Sequence, residues 1–124
     1  MKSQNIPTAA DFARASAAIK KYDRGLSEVR DQISKRFGDL GLHEVFVFYS
    51  PANNLFVAHL FYHRNEQIAT AEKSGLSSQI KHAVIEELVR VGRGKTNTIK
   101  IEFHFDSHEN VDANFEGDYF LRLR

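Results

Sequence analysis

The chain has 124 residues, 42% of them hydrophobic with 10 Phe and 4 Tyr, the length and apolar content of one domain with its own core. Lys plus Arg total 17 against 16 for Asp plus Glu, a formal net charge of +1, so no global field draws the molecule to nucleic acid or an anionic membrane. With no Cys, disulfides, thiolate nucleophiles and Cys-ligated metal centres are excluded, and no run approaches the roughly 18 apolar residues of a membrane span.

Thr8 and Asp11 have the S/T-x-x-D spacing of a helix start. Apolar residues then recur at Phe12, Ala15, Ile19, Tyr22, Leu26, Val29, Ile33 and Phe37, in steps of three and four. The stripe predicts one helix over residues 9–37, about 43 Å long. Gly25 inside it costs about 1 kcal/mol relative to Ala and marks the place for a bend; Gly38 and Gly41 supply the stop.

Val45-Phe46-Val47-Phe48-Tyr49 is a β-branched and aromatic run without polar alternation, which predicts a strand over 43–50 covered on both faces. Ser50 to Asn54 is a turn. Leu55 to His63 follows as a second strand, with Phe56, Ala58, Leu60 and Tyr62 on one face and Leu55, Val57, His59, Phe61 and His63 on the other. Gln67 to Ala71 returns as a short third strand. Ser77 or Ser78 caps a second helix with Ile80, Val84, Leu88 and Val91 as its buried stripe, closed by Gly92 and Gly94.

Ile99, Ile101, Phe103 and Phe105 alternate with Lys100, Glu102, His104 and Asp106; after a turn, Val111, Ala113 and Phe115 alternate with Asp112, Asn114 and Glu116. This reads as a closing β-hairpin with one wet and one packed face. Pairing Asp106 with Asn110 sets His104 opposite Asp112 and Lys100 opposite Glu116, avoiding like charges. The expected fold is therefore a single α+β domain over 1–124, ordered α-β-β-(β)-α-β-β: an antiparallel sheet of four to five strands with a long N-terminal helix and a second helix.

Familiar chemical motifs do not assemble. Gly94-Lys95-Thr96 ends like a phosphate-binding loop, but Val89 stands where its first Gly belongs and the segment follows a helix rather than opening one. His59 and His63 lie four residues apart on a strand, about 13 Å between Cα atoms, too far to share an ion held at about 2.1 Å. His104, Asp106 and His108 near the hairpin tip read as solvated polar side chains, and His82 as a residue of the wet helix face. Glu102 and Glu116 share an open face that lacks the burial a general acid requires. Neither metal nor cofactor is expected.

Charge is segregated instead. Residues 1–40 hold eight Lys or Arg against five Asp or Glu, whereas 97–121 hold Lys100 alone against Glu102, Asp106, Glu109, Asp112, Glu116 and Asp118. An acidic sheet face of this kind steers a basic partner. The element order, with Val45-Phe46-Val47-Phe48-Tyr49-Ser50-Pro51 and the stretches Ile101 to Asp106 and Asp112 to Tyr119, resembles the YezG-type family of bacterial toxin-immunity proteins. That resemblance implies a cytoplasmic, non-enzymatic inhibitor of a cognate toxin domain of nuclease type, with carboxylates standing where nucleic-acid phosphates would lie. The contact residues it points to are Glu102, Asp106, Asp112, Glu116 and Asp118, with Tyr119 or Phe120 as an apolar anchor. Neither nucleic acid nor membrane is an expected partner. Two alternatives stand beside it: a small enzyme with a cleft between helix 77–92 and the sheet, using His59 or His63 as base, and an adaptor that forms a homodimer through the edge Tyr119 to Arg124.

Overall fold

The structure, a computed structural model, describes Ala9 and residues 21–124. The helix start at Thr8–Asp11 and the stripe positions Phe12, Ala15 and Ile19 lie outside the described residues. Within them the N-terminal helix is not continuous. Helix at Lys21–Tyr22 gives way to a turn, and α1 begins only at Leu26 and runs to Phe37. Gly25 sits at φ +80°, a left-handed conformation open to Gly at little cost, and a Cβ there would stand 2.8 Å from the Val91 side chain. The 3-4 spacing survives such a break, because Leu26, Val29, Ile33 and Phe37 still fall on one buried face. A short 3₁₀ turn, Gly38–Leu40, then leads to the sheet.

Strand β1 is Leu42–Ser50 and β2 is Leu55–Tyr62, antiparallel, with Val45 opposite Leu60 and Val47 opposite Ala58. The segment expected as a third strand is helical: α2 spans Asn65–Ser74. Helix α3, Leu76–Arg90, follows directly after Gly75 and buries Ile80, Ala83, Val84 and Leu88. The two helices form a crossover, so β3, Ile101–Ser107, returns parallel to β2. The sheet is thus three-stranded and mixed, ordered β1-β2-β3, in place of the expected antiparallel four or five.

No closing hairpin forms. His108–Phe115 is helix α4, and Tyr119–Arg122 is a last short helix, α5. The Ser107 hydroxyl accepts from Asn110 N at 3.0 Å, capping α4, and Val111 is fully buried. Val111 and Phe115 are four apart as well as alternate, so the pattern fits either period; the cap and the burial of Val111 favour the helix. Among the described residues the order is α-β-β-α-α-β-α-α, the last helix a single turn, and the class is α+β.

One core forms on the helical side of the sheet, from α1, α2, α3 and the β1 and β2 residues Leu42, Val45, Val47, Phe56, Ala58, Leu60 and Tyr62. Phe103 and Phe105 of β3 pack against it. No helix among the described residues is long and apolar enough to cross a membrane.

Candidate functional site: the open sheet face and the C-terminal arm

Strand register determines what the other face of the sheet carries. Three rows cross it: Phe48, Val57 and Glu102; Phe46, His59 and His104; Glu44, Phe61 and Asp106. No helix of the core covers this face. The C-terminal arm, α4 and α5, lies across its last row instead. Tyr119 meets Phe61 edge-on at 4.9 Å between ring centres and Phe46 at 5.5 Å. Phe61 is fully buried beneath the arm, while Phe48 at the far end is 45% exposed. The aromatic run of β1 is therefore covered on one face only, not on both.

A buried polar network fixes the arm. Asp106, 9% exposed, accepts from Ser107 N at 2.8 Å, from Asn110 Nδ2 at 3.1 and 3.0 Å, and from Arg122 Nε. The Ser107 hydroxyl donates to Asn65 Oδ1, and Glu109 accepts from Asn65 N at 2.8 Å, tying the start of α4 to the start of α2. A carboxylate with this many donors is an internal anchor.

The six residues expected as one contact surface are therefore divided. Glu102 stands on the open face beside His104, 3.5 Å away, at the opposite end of β3 from Asp106. Asp106 is consumed by the arm's own Arg122. Asp112, Glu116 and Asp118 remain exposed at the α4–α5 corner. Glu116 ends α4 at φ 56°, and Asp118 caps α5 by accepting from Phe120 N at 2.9 Å. Tyr119 is half-buried as a packing residue, donating to or accepting from His108 Nδ1 at 2.7 Å. Burial, then the charges of Glu44, Asp112 and Asp106, pushes its phenol up to about 12. The single water-facing plane of carboxylates does not form, because α4 replaces the second strand that was to carry half of it.

Two histidine groups were not legible in the sequence. A bulge between Leu42 and Glu44 makes His43 the extra residue of β1, and its ring lies 4.6 Å from that of His63 and 4.4 Å from that of His108. Desolvation and the two neighbouring imidazoles lower its pKa, against Glu44 and Asp112. On the open face His59 stacks on His104 at 5.0 Å, and its Nδ1 is buried without a hydrogen-bond partner. Burial, His104 and Arg122 lower its pKa. Only the bulge and the parallel register create these groups; the one sequence signal was the placing of His43 and His63 at the ends of the expected strands, and nothing pointed to His59 with His104. Among the described residues no three His, Asp or Glu side chains are arranged to hold a metal ion.

A hollow of about 100 Å³ beside α2 and α3 is lined by Ile68, Glu72, Ser77, Ser78, Lys81 and Phe105. His59 faces the other side of the sheet, with Phe46 and His104. A larger hollow of about 290 Å³ beside α2 is lined by Leu40, Tyr62, Thr70 and Ser74. Compared with family models, with curated proteins and with solved structures, the chain has no match in any of the three.

Proposed function

We propose that the protein acts by binding another protein, as an inhibitor that resembles the YezG-type immunity family and neutralises a bacterial toxin domain, from the α4–α5 corner and not from a sheet face. The observation that supports this is the crowding of three exposed carboxylates, Asp112, Glu116 and Asp118, into seven residues on a corner held rigid by the Asp106 network. On a chain of net charge +1 such a corner is a local negative field, which speeds encounter with a basic surface such as a nuclease's substrate groove. Tyr119, packed behind the corner, keeps the backbone of 116–119 in place rather than serving as the expected exposed anchor.

The test uses a candidate toxin domain and stopped-flow association. Reversing Asp112 and Glu116 together to Lys slows association about tenfold or more at low salt and far less at high salt. Unchanged rate and affinity at both salt concentrations would reject the corner as the contact. Glu102→Lys, at the other end of the sheet, is the comparison and has the smaller effect.

A further inference from the structure

The last strand of the sheet, β3, has β2 on one side only. Phe56 N donates to the Lys100 carbonyl at 2.9 Å, and this bond sets the ladder. Lys100, Glu102, His104 and Asp106 turn their backbone groups toward β2, while Ile101, Phe103 and Phe105 turn theirs outward. Among the described residues no hydrogen bond reaches the amides and carbonyls of those three. Ser107, next in the outward series, already gives its N–H to Asp106 Oδ1 at 2.8 Å.

The edge at β1 is treated differently. There the Val45 carbonyl accepts from Arg30 Nε at 2.8 Å, the Val45 N–H donates to Glu44 Oε1 at 3.0 Å, and a bulge interrupts the strand between Leu42 and Glu44. Plugs and bulges of this kind keep an edge from pairing with another chain. Among the described residues β3 has neither: its pairing with β2 is regular from Ile101 to Ser107. The arm's Tyr119 lies over Phe61 and Phe46 of β2 and β1, not over this edge. The stretch Tyr119–Arg122, expected to self-associate as a strand edge, is helical and has no such edge to offer.

The residues of β3 are complementary to themselves. An antiparallel copy must bring outward-facing residues together, and only a two-fold axis at Phe103 pairs all three. It sets Phe103 opposite Phe103 and Ile101 opposite Phe105 on the core side, where these residues are half-buried. On the open face it sets the exposed Glu102 of each copy opposite the exposed His104 of the other. An axis at Glu102 opposes two carboxylates; one at His104 opposes two imidazoles and puts Glu102 opposite Asp106. Sheets disfavour like charges directly opposite and favour unlike ones. Lys81 reaches over Phe103 and Phe105 at 5.8 Å with Glu72 around the same hollow, so the helical side also carries both signs. An extended segment of another protein would find the same backbone groups, but not the matched Glu102 and His104 that a second copy supplies.

We infer that β3 is a dimerisation strand: two copies pair antiparallel about Phe103 and join their three-stranded sheets into one. This stands apart from the toxin reading, which is tested at Asp112 and Glu116 on the α4–α5 corner. Sedimentation velocity on the full chain at rising concentration tests the pairing. The wild type passes from monomer to dimer. His104→Glu, at an exposed position, opposes carboxylates at both cross-strand contacts and moves the transition to about tenfold higher concentration or beyond, with unchanged circular dichroism. Glu102→Lys weakens the dimer in the same way. An equimolar mixture of the two variants restores it, because the new lysine of one chain faces the new carboxylate of the other. Amide exchange reads the backbone: the Phe103 and Phe105 N–H groups exchange more slowly at concentrations where the dimer forms. Phe120→Ala, 84% exposed on the arm, leaves the transition in place. A chain monomeric at every concentration, a dimer indifferent to His104→Glu, a mixture that stays dissociated, or a dimer whose Phe103 and Phe105 amides gain no protection would each overturn the assignment.

Discussion

The carboxylate of Asp106 is a meeting point of donors, since Ser107, Asn110 and Arg122 all direct theirs at it. Asp106→Ala leaves the Arg122 guanidinium, three-quarters buried, facing no anion. The expected loss is about 2–3 kcal/mol, read from urea denaturation, with Asp106→Asn losing less because one acceptor remains. The histidines give a pH dependence whose sign follows from their environment. His59 and His43 both hold protons less readily folded than unfolded, so the folded state binds fewer protons below their ordinary value of 6.5. Stability is therefore complete above that value and declines as pH falls beneath it. The urea midpoint, followed from about pH 8 down to about pH 5, should fall in the wild type and fall less in His59→Gln. Tyr119 works at the other end: its raised phenol stabilises the fold fully up to its ordinary value of 10.0, and that contribution fades as pH rises toward about 12.

Elements differ in how far their own residues specify them. Helix α3 was legible almost to its ends, because Ile80, Val84 and Leu88 repeat at helical spacing and are all buried. Strand β2 was legible to the face, since Phe56, Ala58, Leu60 and Tyr62 are the residues it gives to the core. Two segments have patterns that fit either period, and there neighbours decided. Asn65–Ser74 carries few large apolar residues, and at its start Arg64 N donates to Gln67 Oε1 at 2.7 Å. His108–Phe115 alternates like a strand, yet Ser107 caps it as a helix. Ser107→Ala removes that cap and the link to Asn65, and costs about 1–2 kcal/mol in thermal or urea unfolding. At the break before α1, Gly25→Ala forces a left-handed Ala against Val91 and costs about 1–3 kcal/mol. A continuous N-terminal helix would have gained from the same substitution, so its sign separates the two forms.

At the scale of the whole molecule, three of the described helices close one side of the sheet, and the C-terminal arm covers only the last row of the other. Removing residues 119–124 takes away Tyr119 and Arg122, uncovers the fully buried Phe61, and leaves Asp106 without its cation. The truncated chain should bind an apolar dye that the intact chain binds weakly, and should unfold at lower urea. The arm carries its carboxylates on its outer corner, and Phe120 and Leu123 on the side that meets β1.

The sequence by itself determined an α+β chain with a helical stripe at Leu26–Phe37, two strands joined at Ser50–Asn54, a helix over Ile80–Leu88 and a strand over Ile101–Asp106. These are set by periodicity within ten or fifteen residues, which any single element carries in its own side chains. Tertiary structure alone decided that β3 runs parallel to β2, that His43 meets His63 and His108, and that Asp106 turns inward to Arg122. Each depends on which distant segment comes to lie alongside. A carboxylate in a sequence has the same charge whether water or a guanidinium faces it; only the folded arm supplies the guanidinium.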